Sequence, residues 1–188
     1  MEDVIRKVNF EVHWEDYYSA LVPFERWEDY RERIQDNTLR LLWIFKDAGV
    51  RASFYCLGYL AEKHPDLIGR IRQDGHNIGS HGYYHRKNEQ SGDFSDRTTR
   101  QFLPECVGYR SPYWSTTKMP GWSGGVFFRV LPLQILLRNI RRSGTLWIHP
   151  HDIDADQPRI NVPLVFRRRY LGLKGSEAKL RRILKELA

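Results

Sequence analysis

The chain has 188 residues, 41% of them hydrophobic, and a formal charge of +7. That length suits one domain with a proper core, expected to span residues 1–188. Two cysteines, Cys56 and Cys106, set no disulfide framework, no apolar run is long enough to span a membrane, and Met1-Glu2-Asp3 opens no secretory signal, so a cytoplasmic protein is expected. The basic excess falls late, in residues 138–142, 167–169 and 179–182. No zinc-finger, helix-turn-helix or RNP-type pattern accompanies it, so it reads as solvated helix faces and no nucleic-acid partner is expected.

A first strand is expected over Val4–Val12, with Val4, Val8, Phe10 and Val12 on one alternation and Glu11, His13 and Glu15 on the other. The acidic and aromatic run Trp14-Glu15-Asp16-Tyr17-Tyr18 follows at its end. Trp27–Ala48 reads as one amphipathic helix carrying Ile34, Leu41, Leu42 and Phe45, with Gly49 placed for its C-terminal cap. A buried strand over Val50–Leu57, a short helix over Pro65–Asp74 opened by Pro65, and a third strand over His76–Ser80 come next. Ser91–Gln101 is polar and carries no clear assignment. Val107–Trp114 reads as a strand ending in a proline-stiffened turn, and Met119–Gly125 as a turn-rich stretch. A helix over Leu133–Arg142 ends at Gly144. Thr145–Ile148 is a strand presenting His149-Pro150-His151-Asp152, and Ser176–Leu187 a closing helix with Ser176 as its N-cap. Short strands alternating with helices imply a parallel α/β arrangement with crossover helices.

Two histidines four apart, His81 and His85, follow the third strand. On a helical turn that spacing puts both imidazoles on one face, close enough to share an ion. Two ligands do not complete a zinc site. The strand order supplies more: Glu15 and Asp16 follow the first strand and His81 the third, so all lie at the carboxyl end of the same parallel sheet, where ligands gather. Arg110 emerges at the same end.

With those segments assembled, the chain resembles the polysaccharide deacetylase (NodB-homology) family, carbohydrate esterase family four in its broad sense. The likeness is strongest to the branch associated with bacterial exopolysaccharide and exosortase loci. Trp14 to Tyr18 looks like that branch's Glu-Asp-aromatic motif, Ala52 to Gly58 its second-strand signature and Gly75 to His85 its Ser-His-Gly-Tyr-x-His motif. Gly108 to Pro112 matches its Arg-x-Pro motif, and Ile148 to Asp154 with Gln157-Pro158-Arg159 resembles its late His-Pro-x-Glu and Gln-Pro-Arg segment.

The resemblance implies a distorted (β/α) barrel of about seven parallel strands. It also implies metal-dependent removal of N-acetyl or O-acetyl groups from a polysaccharide or amino sugar. It makes His81 and His85 ligands to a divalent cation, zinc first, with cobalt or nickel suited to the same donors. Glu15 is the third ligand, with Asp16 its rival. Arg110 orients the base, and His149 is the acid that protonates the departing amine. The family's base is Asp or Asn, two residues before the Glu; here that position is His13. Either His13 or Asp16 takes that role, or activity is weak or lost. An offset alignment puts Asn9 and Glu11 in the base and ligand places. Between Trp114 and Gly124 the family carries further strands and loops, so the barrel is expected to be open on one side. Three other readings stand beside this one: a silent glycan-binding relative, a basic module for anionic polymer with structural histidines, and a small-molecule C–N amidohydrolase on the same scaffold.

Overall fold

The computed structural model describes residues 8–103, 105–113 and 122–187. Among them, four strands form one wholly parallel sheet in the order β3-β2-β1-β4: β1 (Asn9–Trp14), β2 (Ser53–Cys56), β3 (Asn77–Ser80) and β4 (Thr145–Ile148). Helix α1 (Ile34–Asp47) connects β1 to β2, and α2 (Gly58–Lys63) with α3 (Pro65–Gln73) connects β2 to β3. Between β3 and β4 lie α4 (Phe94–Gln101), α5 (Gly125–Val130) and α6 (Leu133–Ser143), and α7 (Ser176–Leu187) closes the chain.

The register sorts the sheet into two unlike faces. Val12 pairs with Phe54 and Ile148, and Phe54 with Ile78. These side chains join one buried apolar cluster with Leu41, Ile44 and Phe45 of α1, Ile71 of α3, Ile140 of α6 and Ile183 of α7. On the opposite alternation, Glu11 pairs with Trp147, and His13 with Tyr55, which pairs with Gly79. That face is polar and aromatic, although Glu11 and His13 are both buried. A strand buried on both sides reads as continuous rather than alternating; here the alternation survives because one buried face is chemically different from the other.

Several boundaries differ from the sequence-based expectation. The helix expected from Trp27 begins only at Ile34, preceded by a 3-10 turn at Phe24–Asp29. Its start is set by Asp16, whose Oδ2 accepts the backbone N–H groups of Arg33 (2.7 Å) and Ile34 (3.0 Å). A carboxylate there meets donors that no earlier turn of helix can satisfy. Residues 58–63, given no helix by the sequence, form α2, and the unassigned stretch from Ser91 contains α4, capped by the Asp93 side chain on Asp96 N–H. Gly144 closes α6 in the left-handed region at φ 72°, as its position promised.

The barrel of about seven strands is not reached among the described residues. The segment expected as a strand at 107–114 forms a single bridge, Ser80 to Tyr109, and Gly124 forms another to Trp147. Val107 and Arg110 donate backbone N–H groups to Ile78 and Ser80, and Ser80 donates to Gly108, so the segment lies along β3 without completing a strand. Residues 1–7, which include part of the expected first strand, and 114–121, which include the last residue of the segment expected as a strand and the first three of the turn-rich stretch, lie outside the described residues. Among the described residues no helix is long and apolar enough to cross a membrane.

Candidate metal centre

Because the sheet is parallel, the residue after each strand is delivered to one end of it. Glu15 follows β1, His81 follows β3 and His149 follows β4. These three, with His85, His13 and His151, gather there, all buried or partly buried.

Glu15 stands at the middle, 1% exposed. Its Oε2 lies 2.5 Å from His85 Nε2 and 4.0 Å from His81 Nε2, while its Oε1 lies 3.5 Å from His149 Nε2. One donor atom each from Glu15, His81 and His85 falls within 4.8 Å of the other two. The His81 ring places Nδ1 2.7 Å from the Arg110 carbonyl oxygen, so Nδ1–H donates there and Nε2 is left as a lone-pair donor. No hydrogen bond of regular geometry reaches Glu15 Oε2 or His85 Nδ1 although both are buried. A carboxylate oxygen without a hydrogen bond of regular geometry, faced by the Nε2 atoms of two imidazoles, is a donor set that fits a borderline divalent cation such as zinc.

His85 reaches the site by a route other than the expected helical turn. Residues 81–93 form a loop, in which Gly82 has φ +73° and His85 itself φ +55°. Buried Glu89 organises it: Oε1 accepts from Tyr84 N (2.9 Å) and Ser95 Oγ (2.5 Å), Oε2 from Arg86 N (2.9 Å). A Cβ on Gly82 would sit 2.5 Å from Glu89 Oε2, so both the left-handed turn and the close carboxylate require glycine there. The loop curls around one acid and returns His85 to Glu15.

The electrostatics suit a cation. Burial drives His81 down to about 4, with the neighbouring His85 charge adding to it. Burial likewise lowers His13 and His149, and brings His151 to about 4. Burial alone would raise the Glu15 carboxyl; the close approach of His85, with His149 and His81, outweighs it and holds Glu15 well below the usual carboxylate range. At neutral pH His13, His81, His149 and His151 are thus held neutral beside an ionised Glu15, the protonation state that ligation requires.

The other sequence candidates fall as follows. Asp16, adjacent to Glu15, points the other way: besides Arg33 and Ile34 it accepts the Tyr17 N–H at 2.8 Å, and burial raises it to about 6. His13 stacks on Trp147 (5.3 Å between centroids, 19°) beside His81 at 4.9 Å, with Nε2 buried and without a partner. Arg110 forms a bidentate pair with Glu11, Nε to Oε2 at 2.9 Å and Nη2 to Oε1 at 2.5 Å, over the Tyr55 ring. Sequence reasoning gave Glu11 a role only in the offset alignment; its place two residues before His13 on one strand face was the available signal. His149 Nδ1 lies 3.0 Å from Asp152 Oδ2, which also accepts His149 N–H at 2.8 Å. Asp152 in turn pairs with buried Arg129. Asp152 and His151 were visible in the His-Pro-His-Asp string but given no function there, and Arg129 carried no local signal at all.

Residues 24–112 match the family described as polysaccharide deacetylase, and residues 111–188 match a domain of unknown function, DUF3473. Residues 24–112 are a polysaccharide deacetylase domain. His81, His85 and Arg110 lie in this deacetylase segment, His149 and His151 in the second match, and Glu15 ahead of both. The centre is therefore assembled from the whole chain. A peptidoglycan-N-acetylglucosamine deacetylase from Bacillus cereus is 35% identical over 85 residues, covering 40% of this chain and 31% of that protein. The chain thus spans about a third of the length of that curated relative. A family 4 carbohydrate esterase from Streptomyces lividans, solved with acetate, shares the fold with a TM-score of 0.58 at 16% identity, covering 96% of this chain and 86% of that one. A CE4 family pseudoenzyme from Bacillus anthracis does so at 0.55 and 12%, covering 96% and 61%.

Proposed function

We propose that this deacetylase-family chain hydrolyses acetyl groups from a polysaccharide of N-acetylated amino sugars, with Glu15, His81 and His85 holding a divalent cation. The observation that carries this reading is the convergence of those three donors at the carboxyl end of the sheet, with His149 on the other side of the same carboxylate. The sheet then reads as an arc of a barrel, extended on its two edges by the segments around Tyr109 and Gly124.

A cation bound there would supply Lewis acidity to the acetyl carbonyl and to a water molecule. The protein's own part is proton handling and support. Asp152 holds His149 Nδ1, so a neutral His149 carries its proton on Nδ1 and presents Nε2 towards Glu15 and the reacting groups. In that orientation Nε2 takes the proton of the attacking water and returns it to the departing amine as the C–N bond breaks. Arg110 and Glu11 brace the floor beneath His13, and Arg110 offers its carbonyl to His81. Asp16 fixes the start of α1 and is read here as structural.

The test is acetate release from chitooligosaccharide by protein loaded with one zinc equivalent, against Glu15→Gln and His85→Ala treated alike. Release by wild type alone supports the reading; equal release by all three overturns it. A second reading is favoured by one feature, the imidazole at position 13 packed flat on Trp147 where the family carries a carboxylate or amide: a weak or silent relative that binds the glycan. Glycan binding by the loaded protein without acetate release selects it.

A further inference from the structure

The carboxylate of Glu15 has histidines on both of its oxygens. Oε2 faces His81 and His85; Oε1 faces His149, and a second triad of donors, Glu15, His149 and His151, also falls within 4.8 Å. We propose that Glu15, His149 and His151 form a second site for a divalent cation such as zinc, and that filling it inhibits the protein by capturing the proton-shuttling nitrogen of His149. The inhibition rests on the deacetylase reading; the binding does not.

His151 is 6% exposed and its Nδ1 is buried without a hydrogen-bond partner, so it is an available donor that the proposed reaction does not use. Its ring lies nearly parallel to that of His149, 15° apart with centroids at 4.7 Å, in a 3-10 turn whose Pro150 stands between them. Behind His149, Asp152 accepts from Nδ1, and Arg129, which donates to the carbonyls of Leu171 and Arg169, holds Asp152. A carboxylate on the far nitrogen of an imidazole fixes its tautomer and raises its strength as a metal ligand. The same arrangement that aims His149 at a proton aims it at an ion. Two cations sharing one carboxylate repel each other, which orders the filling: the Glu15–His81–His85 site first, the second more weakly.

The experiment titrates metal-free protein with zinc, reading bound zinc by calorimetry and by elemental analysis. Wild type is expected to take two equivalents, the second weaker, and His151→Phe, which keeps a ring for the stack, only one. Acetate release should rise through the first equivalent and fall through the second, by about tenfold at ten times the second dissociation constant. His151→Phe should show the rise without the fall. If that variant does not fold, zinc-soaked wild-type crystals serve in its place, with a second anomalous peak expected between Glu15 and the His149–His151 pair. Saturation of wild type at one equivalent, a second equivalent retained by folded His151→Phe, or a single peak at excess zinc would each overturn the second site. Absence of acetate release at every zinc level would overturn the inhibitory role together with the deacetylase reading, and leave the stoichiometry to decide the site by itself.

Discussion

Glu15 and Asp16 are adjacent acids, both 1% exposed, yet their carboxylates face different structures, so exchanging each for a neutral residue should separate two properties. Asp16→Ala removes the acceptor of three backbone N–H groups, those of Tyr17, Arg33 and Ile34. At about 1–3 kcal/mol for each donor left unmet, the gross loss is roughly 5 kcal/mol. Against it, burial raises Asp16 from 3.8 to about 6, so the ionised group already costs the folded state about 3 kcal/mol at pH 7, which the variant recovers. The net destabilisation is about 2 kcal/mol, a fall in melting temperature of roughly 4–8 °C for a chain of this size. It should grow at pH 5, where Asp16 is largely protonated in the folded state and the recovered charge penalty is smaller. Zinc affinity should be nearly unchanged. Glu15→Gln, by contrast, should lower zinc affinity by more than about a hundredfold, beyond the 10- to 100-fold of outer-shell changes, and should also lower the metal-free melting temperature, because the folded state favours the ionised carboxyl that it removes. Circular dichroism melts and competition with a zinc-binding dye read both. Loss of zinc binding in Asp16→Ala with retention in Glu15→Gln would refute the assignment of the ligand.

Three further outcomes follow. His149→Ala should lower kcat for acetate release by about 10²- to 10⁴-fold while the first zinc equivalent still binds; unchanged kcat would remove His149 from the reaction. His13→Asp, which puts a carboxylate where the family carries its base, should raise acetate release above wild type, and a fall would show that the imidazole itself contributes. In metal-free protein, His81 and His151 stand at about 4 against 6.5 unfolded, so between those values the unfolded chain takes up protons that the folded one refuses. Stability therefore falls as pH falls, by up to about 3 kcal/mol for each, with Asp16 opposing from about pH 6 downward. A urea midpoint that stays level or rises from pH 7 to pH 5 would contradict this.

The sheet and the donors at its end were legible because both rest on local patterns. Thr145–Ile148 is read from its apolar run bounded by Gly144 and His149, and the observed strand has those bounds. Parallel order then places Glu15, His81 and His149 together without any knowledge of side-chain contacts. What escaped depended on long-range partners. The start of α1 is fixed by a carboxylate 17 residues earlier in sequence than Arg33, so periodicity ran the helix on through Tyr30. His81 and His85 keep helical spacing but sit in a loop, because Glu89 and Gly82 replace the helical hydrogen bonds with others. Arg110 reads as a site residue from its motif, but its partner Glu11 lies 99 residues away, and Arg129 acquires meaning only once Asp152 is folded against it.

The most direct test of the account is an anomalous difference map from crystals of wild-type protein given one equivalent of zinc. One peak is predicted, about 2.0–2.2 Å from a carboxylate oxygen of Glu15 and from one nitrogen each of His81 and His85. A peak bound by Asp16, or none at the end of the sheet where these three side chains meet, would contradict it.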